Sequence, residues 1–236
     1  ESFYRFNKFF GNTNSRFEIK GTNYVVYTID SIALSDSSAP EIQNLTIDYL
    51  NEVNQHHKSN PLEKRILLTH VPLFRDPNTQ TCGPLRESNK LFPIIKGNQY
   101  QTVISSELTD MILNSINPDL VLSGDDHDYC EILHAYGTKK VKEITTKSAA
   151  MNMGIKYPQL TLLSIDDKDE LTHTQINLHT PYIPLMMYAF LSVCSLVYVF
   201  YYTFKVEYND YRKKSIKLFL YRTVVLSVII LYLLGT

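Results

Sequence analysis

LVLSGDDHD, residues 120–128, is the most informative segment of the chain, because a short apolar run leads directly into a dense polar cluster. Leu120–Ser123 predicts a buried strand, and Gly124–Asp128 predicts the turn that follows it. In open α/β sheets, ligands gather beyond the carboxyl ends of the strands. The segment therefore predicts an α/β domain with a functional site at the end of this strand.

The flanking sequence predicts further strands and helices of the same domain. Buried strands are predicted at Tyr24–Ile29 and Arg65–Thr69, and helices from near Pro40 to His56 and from Ser105 or Ser106 to Ile116. After residue 128 the pattern is of strands alone: 131–134, 141–145, 160–165 and 171–177. This order predicts an α/β fold, a layered β-sandwich flanked by helices.

Three side chains at two predicted strand ends are candidate metal ligands. His70 follows the strand 65–69, and Asp125 and His127 follow the strand 120–123. Imidazole and carboxylate together suit Mn²⁺, Fe or Zn²⁺ better than Ca²⁺. If the segment is extended, Asp125 and His127 point the same way, and Asp126 and Asp128 point the other way. The alternative to metal binding is that residues 124–128 form a polar turn and that His70 caps a strand.

The long loop predicted from Pro72 to Gln101 carries two further candidates. Arg75 and Arg86 could bind phosphate or lipid headgroups, and the alternative is that they are solvated or structural arginines. Cys82 and Cys130 could pair in an oxidising compartment, and the sequence leaves that pairing open.

Bulk properties exclude some classes of protein. The formal net charge of the 236 residues is −1, which gives no electrostatic basis for nucleic-acid binding. Three cysteines are too few for a disulfide scaffold. Residue 1 is Glu, and no signal peptide pattern follows it, so we expect that the natural amino terminus lies upstream.

The last quarter of the chain predicts a membrane anchor. Residues 182–204 are free of charge and would reach about 34 Å as a helix, enough to cross a hydrocarbon core of roughly 30 Å. A second span is predicted at 217–235. The basic segment between them, 205–214, predicts a cytoplasmic loop and a lumenal or exterior domain over 1–180, with 181–236 as the anchor. Asn44 begins a glycosylation sequon compatible with that side.

Several segments carry a resemblance to a known family. LLTHVPLFR (67–75) and LSGDDHDYCEILH (122–134) resemble the calcineurin-like metallophosphoesterases. More closely, the chain resembles the fungal cell division control protein 1 and Ted family, related to the animal enzyme that removes ethanolamine phosphate from GPI anchors. Further matching segments are TCGPLRES (81–88), KGNQYQTVI (96–104) and EITTKSAAMNMGI (143–155). The resemblance covers nearly all of residues 1–165.

The resemblance implies roles for the candidate ligands. His70 matches the isolated histidine that binds one metal, and His127 matches the second histidine of a Gly-His-x-His motif, which binds the other. Asp125 takes the place of the first histidine, which favours two Mn²⁺ ions over Zn²⁺ because carboxylate is the harder ligand. The implied substrate is the ethanolamine phosphate on a mannose of a GPI-anchor glycolipid or GPI-anchored protein. The implied location is the endoplasmic reticulum membrane or early Golgi, multi-pass, with the domain in the lumen among membrane lipids.

One departure limits what the chain is expected to do alone. Ahead of the closing segment Gly124–Asp128, the earlier family motifs, Asp-x-His, Gly-Asp-x-x-Asp and Gly-Asn-His-Asp/Glu, are absent from these residues. We expect those ligands and the catalytic histidine upstream of Glu1, so this part is expected to be inactive by itself. Two alternatives stay open: a non-catalytic membrane adaptor with a decayed metal site, and a phosphoesterase acting on another lipid phosphodiester.

Overall fold

The computed structural model describes residues 2–88, 92, 94–96, 101–150, 153–202 and 219–225. The chain divides into two compact units, Glu1–His179 and Thr180–Thr236. Among the described residues, the first unit contains the sheets and four helices, and the second contains a long apolar helix.

A six-stranded mixed sheet forms the centre of the first unit. Its strands are β1 Ser15–Glu18, β2 Tyr24–Ile29, β3 Lys64–Thr69, β4 Leu120–Ser123, β5 Cys130–Tyr136 and β6 Lys139–Thr145. They lie in the order β1-β2-β3-β4-β6-β5. The strands β2, β3, β4 and β6 are parallel, and β1 and β5 pair antiparallel at the two edges. Because the four central strands are parallel, their carboxyl ends lie along one edge of the sheet.

Helices cover one face of this sheet. They are α2 Ser31–Ser35, α3 Pro40–Ser59 and α4 Ser106–Ile116, whereas α1 Ser2–Phe10 precedes β1 and its described side chains are mostly exposed. Leu50 of α3 and Ile112 of α4 share the main core with the strand residues Leu67 and Val121. The hydroxyl of Ser105 accepts the N–H of Leu108 at 3.3 Å, so the predicted amino-terminal cap of α4 is confirmed.

A separate antiparallel hairpin covers the opposite face. It consists of β7 Gln159–Ile165 and β8 Leu171–Asn177. Leu163 and Leu171 pack against Leu120 and Ile144 of the large sheet. Successive side chains of a strand point to opposite faces, which is why Leu120 meets the hairpin while Val121 meets the helices. The predicted α/β architecture of sheet and helices is confirmed, and the second layer of the predicted sandwich is this two-stranded sheet.

The second unit contains α5, Tyr182–Tyr201. Within the described part of the chain, α5 is the one helix long and apolar enough to cross a membrane. It covers most of the predicted span 182–204. Most of the second predicted span, 217–235, lies outside the described residues. Its described part, 219–225, is helical. Two spans therefore remain a prediction.

Glu143 is a fully buried carboxylate that connects three segments. Its carboxylate accepts the backbone N–H of Leu73 at 3.2 Å, and it lies 3.1 Å from Arg75 Nη2 and 2.7 Å from His134 Nε2. Burial acts to raise the pKa of Glu143, but Arg75 and His134 lower it to about 2. Glu143 is therefore charged in the folded protein and fixes the start of the long loop to β6.

We expect Glu143→Gln to lower the free energy of unfolding near neutral pH by about 3–5 kcal/mol, because it leaves Arg75 buried without its counter-charge. The stabilisation from ionised Glu143 is fully present above the unfolded pKa of about 4.3 and is lost as the pH falls through about 2. Urea unfolding of the chain in detergent micelles, followed by circular dichroism, should show the wild-type advantage shrinking between about pH 4.5 and 2.

Glu18→Gln is the matched control, because Glu18 pairs with Arg16 at 2.8 Å on the surface with 69% of its side chain exposed. Its effect should stay within about 1 kcal/mol. Equal losses in the two variants, or a Glu143→Gln deficit that is constant with pH, would contradict the role given to Glu143.

Candidate functional site

The parallel register brings the two predicted strand ends together. Leu68 of β3 lies opposite Leu122 of β4. Two residues further along each strand, the N–H of Gly124 donates to the carbonyl oxygen of His70 at 2.9 Å. His70 and the polar cluster that begins at Asp125 are therefore neighbours at the carboxyl edge of the sheet, as the sequence predicts.

The chain turns sharply at Asp125. This residue has a φ of +61°, and the N–H of Asp126 donates to the carbonyl oxygen of Gly124 at 2.7 Å. Aspartate tolerates the left-handed region better than most residues because of its short polar side chain. The expectation of an extended segment here is wrong. Because the backbone turns at Asp125, alternation along a strand does not decide where the polar side chains of 125–128 point.

His70 and Asp125 approach each other without a direct hydrogen bond. Asp125 Oδ1 lies 3.6 Å from His70 Nε2, beyond hydrogen-bond range. Two ligands bound to one tetrahedral ion at about 2.1 Å stand about 3.4 Å apart, so the separation fits two donors of a shared cation. Burial raises the pKa of the Asp125 carboxyl, and His70 and His127 partly oppose that shift. The His70 side chain is 60% exposed, so the pair is open to solvent.

His127 lies in the same turn but is exposed, and its carbonyl oxygen accepts the N–H of Ser148 at 3.0 Å. Among the described residues, no group of three or more His, Cys, Asp or Glu side chains is arranged to hold a metal ion. The structure thus brings His70 and Asp125 together as a pair. A metal site here would need donors in addition to these two.

Asp126 and Asp128 point to Arg86 in the long loop. Arg86 Nη1 donates to Asp126 Oδ2 at 2.6 Å, and Arg86 Nε lies 4.0 Å from Asp128 Oδ2. Burial acts to raise the pKa of Asp128, but the backbone N–H groups of Ser88 and Glu87 donate to it and lower the pKa overall. Arg86 therefore has an internal structural role, which was one of the two alternatives for it, and its substrate role stays a prediction.

A disulfide bond adds a covalent link between the same two segments. Cys82 and Cys130 are bonded, with their Cα atoms 4.3 Å apart. The N–H of Glu131 also donates to the carbonyl oxygen of Cys82 at 3.1 Å. Because Cys130 begins β5 directly after the polar turn, the disulfide keeps the loop that carries Arg86 beside Asp126 and Asp128.

Lys147 and Glu87 complete this network, and the sequence analysis did not select them. The Lys147 side chain is only 2% exposed, and its Nζ lies 2.7 Å from Glu87 Oε1 and 4.0 Å from Asp128 Oδ1. Glu87 also accepts the backbone N–H groups of Lys156 and Tyr157. Glu87 and Lys147 lie in the segments 81–88 and 143–155 that resemble the family, and this is the feature of the sequence that could have identified them.

The other two predicted site residues lie apart from the turn. Arg75 is buried, pairs with Glu143, donates to the hydroxyl of Thr145, and stacks on the ring of Phe92 with 4.5 Å to the ring centroid. Asn44 is exposed on α3 and therefore accessible, and its glycosylation stays a prediction.

Fold and site together define a class: an α/β protein with an imidazole and a carboxylate at the carboxyl edge of a parallel sheet. The chain is 47% identical to cell division control protein 1 of Saccharomyces cerevisiae over 175 residues, which cover 72% of this chain and 35% of that protein. It is 29% identical to metallophosphoesterase 1 of Rattus norvegicus over 156 residues, covering 58% of the chain and 38% of the relative. It is 27% identical to protein TED1 of Saccharomyces cerevisiae over 170 residues, covering 61% of the chain and 35% of the relative.

On these similarities we assign the chain to the calcineurin-like phosphoesterase family, and specifically to its cell division control protein 1 and Ted group. At the level of the family, the names of the relatives indicate a phosphoesterase-type hydrolase. The chain spans a little over a third of the length of these relatives. No family model and no solved structure matches the chain.

Removing the disulfide should destabilise the domain. For a sequence separation of 48, the loop-closure entropy corresponds to about 4 kcal/mol, and measured losses are typically about 2–4 kcal/mol. We expect a double Cys82→Ser and Cys130→Ser variant to unfold at lower urea concentration than the wild type. Reductant should shift the unfolding curve of the wild type but not that of the double variant. Cys194→Ser, which changes the free cysteine of α5, is the control and should leave both curves in place. A double variant as stable as this control would refute the stabilising role.

Proposed function

We propose that this chain forms part of a metal-dependent phosphodiesterase that removes ethanolamine phosphate from a mannose of GPI anchors. The observation that carries the proposal is the 3.6 Å approach of His70 Nε2 and Asp125 Oδ1 at the sheet edge, in a chain 47% identical to cell division control protein 1. The names of the other relatives support phosphoester chemistry.

His70, Asp125 and His127 would hold the metal, with Mn²⁺ as the proposed ion. Asp125 puts a carboxylate between two imidazoles, and this harder donor set is better matched to Mn²⁺ than histidines alone. A pair of divalent ions supplies a nucleophilic hydroxide and stabilises charge on the phosphoryl oxygens. The further ligands and the group that protonates the leaving alcohol would come from outside this chain.

The residues around the ligands determine the shape and charge of the turn. Arg86 neutralises Asp126 and lies near Asp128, so neither carboxylate competes with Asp125 for a cation. The pair of His70 and Asp125 remains open to solvent, because His70 is mostly exposed. An exposed pair is accessible to a bulky substrate such as a glycolipid headgroup.

Three features support action at a membrane, on the lumenal side of the endoplasmic reticulum or early Golgi. The helix α5 is long and apolar enough to cross a bilayer. The disulfide between Cys82 and Cys130 is the type of bond that persists in oxidising compartments. The exposed Asn44 begins a sequon. An anchor would confine the enzyme to the surface where GPI lipids lie, which raises their effective concentration.

The specific observation favouring a non-catalytic membrane adaptor is that the described residues contain no three-ligand group. Metal binding separates the two functions, because an adaptor with a decayed site needs no metal. The alternative of another lipid phosphodiester as substrate shares the metal chemistry and is separated by the substrate assay below.

Metal binding is the first expectation to measure. We expect a chimera, in which this chain replaces the matching region of Saccharomyces cerevisiae cell division control protein 1 and the rest supplies the further ligands, to bind Mn²⁺ in detergent micelles. Asp125→Asn and His127→Ala in that chimera should weaken binding by about tenfold or more, because each removes a ligand. Isothermal titration calorimetry, with the bound fraction checked by electron paramagnetic resonance, measures the affinity. His179→Ala changes an exposed histidine and should leave the affinity unchanged. If His179→Ala weakens binding as much as the other two, or the wild type binds no Mn²⁺, the ligand set is wrong.

Activity is tested in a chimera in which this chain replaces the matching region of Saccharomyces cerevisiae cell division control protein 1. With Mn²⁺ and a GPI glycolipid, we expect release of ethanolamine phosphate that falls on the order of 100-fold in His127→Ala, because a ligand is lost. Release is quantified by mass spectrometry, and His179→Ala is again the control. Undiminished release by His127→Ala would refute the proposal. Faster cleavage of another lipid phosphodiester, assayed in parallel, would replace the proposed substrate.

A further inference from the structure

A cavity of about 510 Å³ lies beneath the long loop of the first unit. Its described lining contains two charged residues, both arginines: Arg75 and Arg86. Thr81 and Ser88 add hydroxyl groups, and Phe92 and Ile132 add an apolar wall. No carboxylate is among its described lining residues. Glu143 pairs with Arg75, and Asp126 pairs with Arg86.

Both guanidinium groups have buried N–H donors without a partner. Arg75 Nε and Nη1 and Arg86 Nε make no hydrogen bond in the described part of the chain. Asp128 Oδ2 lies 4.0 Å from Arg86 Nε, which is too far for a hydrogen bond. Nε and Nη1 of one arginine carry three of its five donors. Both side chains are buried, with Arg75 2% exposed and the Arg86 side chain 8% exposed.

Stacking orients these donors. The guanidinium of Arg75 lies 4.5 Å from the Phe92 ring centroid, and that of Arg86 lies 5.6 Å from it. A guanidinium is planar and its N–H bonds lie in its plane, so contact with a ring face does not use them. Each arginine thus contacts the ring of Phe92 and a carboxylate, and its remaining donors are buried in a side chain that lines the cavity.

We propose that this cavity is a binding site for a phosphoryl group, separate from the His70 and Asp125 pair. Planar guanidinium donors match phosphoryl oxygens, and donors from two arginines suit a group with three oxygens better than a two-oxygen carboxylate. The wall of Phe92 and Ile132 fits an apolar group attached to the phosphoryl. The site requires no metal, so its binding is independent of the proposed phosphodiesterase activity.

The test measures binding by the whole chain in detergent micelles with EDTA present, so that metal sites play no part. The probes are inorganic phosphate, hexyl phosphate and hexanoate, titrated by isothermal calorimetry. We expect both phosphates to bind at least about tenfold more tightly than hexanoate. Hexyl phosphate binding more tightly than inorganic phosphate identifies a lipid-like phosphoryl ligand, and the reverse order identifies free phosphate. Either order supports the site.

Two sets of variants test the location. Arg75→Lys retains a charge for Glu143 but removes the unpartnered donors, and it should weaken phosphate binding about tenfold or more. Thr81 is exposed, so Thr81→Glu should fold and place a carboxylate at the cavity, weakening binding by a similar factor, while Thr81→Gln leaves it within about twofold. If Arg75→Lys fails to fold, the Thr81 pair decides alone. No phosphate binding by the wild type, equal binding of hexanoate, or wild-type binding by Thr81→Glu would overturn the proposal.

Discussion

The guanidinium of Arg86 lies beside the carboxylates of Asp126 and Asp128, with 8% of its side chain exposed. Removing one member of such a buried group would leave an uncompensated charge, at a cost of about 3–5 kcal/mol, so the arrangement strongly disfavours separation of the loop from the turn. The disulfide to Cys130 applies the same restriction covalently. Because Asp126 and Asp128 are occupied in this way, Asp125 is the acidic residue of the turn that lies beside His70.

The three aspartates at positions 125, 126 and 128 thus acquire two different tasks from their surroundings. Asp126 and Asp128 are neutralised by cations from loops distant in sequence, including Lys147 at 4.0 Å from Asp128. Asp125, with positive φ, is directed to an imidazole at the sheet edge instead. Burial raises the pKa of Asp125 because it disfavours the charged carboxylate. A further positive charge nearby would stabilise that charged form.

The sequence predicted those parts of the fold that depend on local pattern. Apolar runs identified β2, β3 and β4, and a hydroxyl cap and the Asn-Pro sequence bounded α4. Parallel strands then required His70 and the polar turn to meet. Alternation along a strand could not predict the turn at Asp125, because a single left-handed residue changes the direction of every side chain after it. The carboxylate partners of Arg86 lie 40 or more positions away, a separation that no local pattern specifies. The short elements β1 and α2 carry too little periodicity to be recognised.

The disulfide also constrains the order of events during translation. Cys82 leaves the ribosome 48 residues ahead of Cys130, which at about 5–20 residues per second is an interval of about 2–10 s. The intervening polypeptide includes α4 and β4, so the covalent ring can close only after both have been synthesised. Until then Cys82 is a free thiol on a nascent chain, available to oxidoreductases and to incorrect partners. The native bond therefore forms only after α4, β4 and Cys130 itself have been translated.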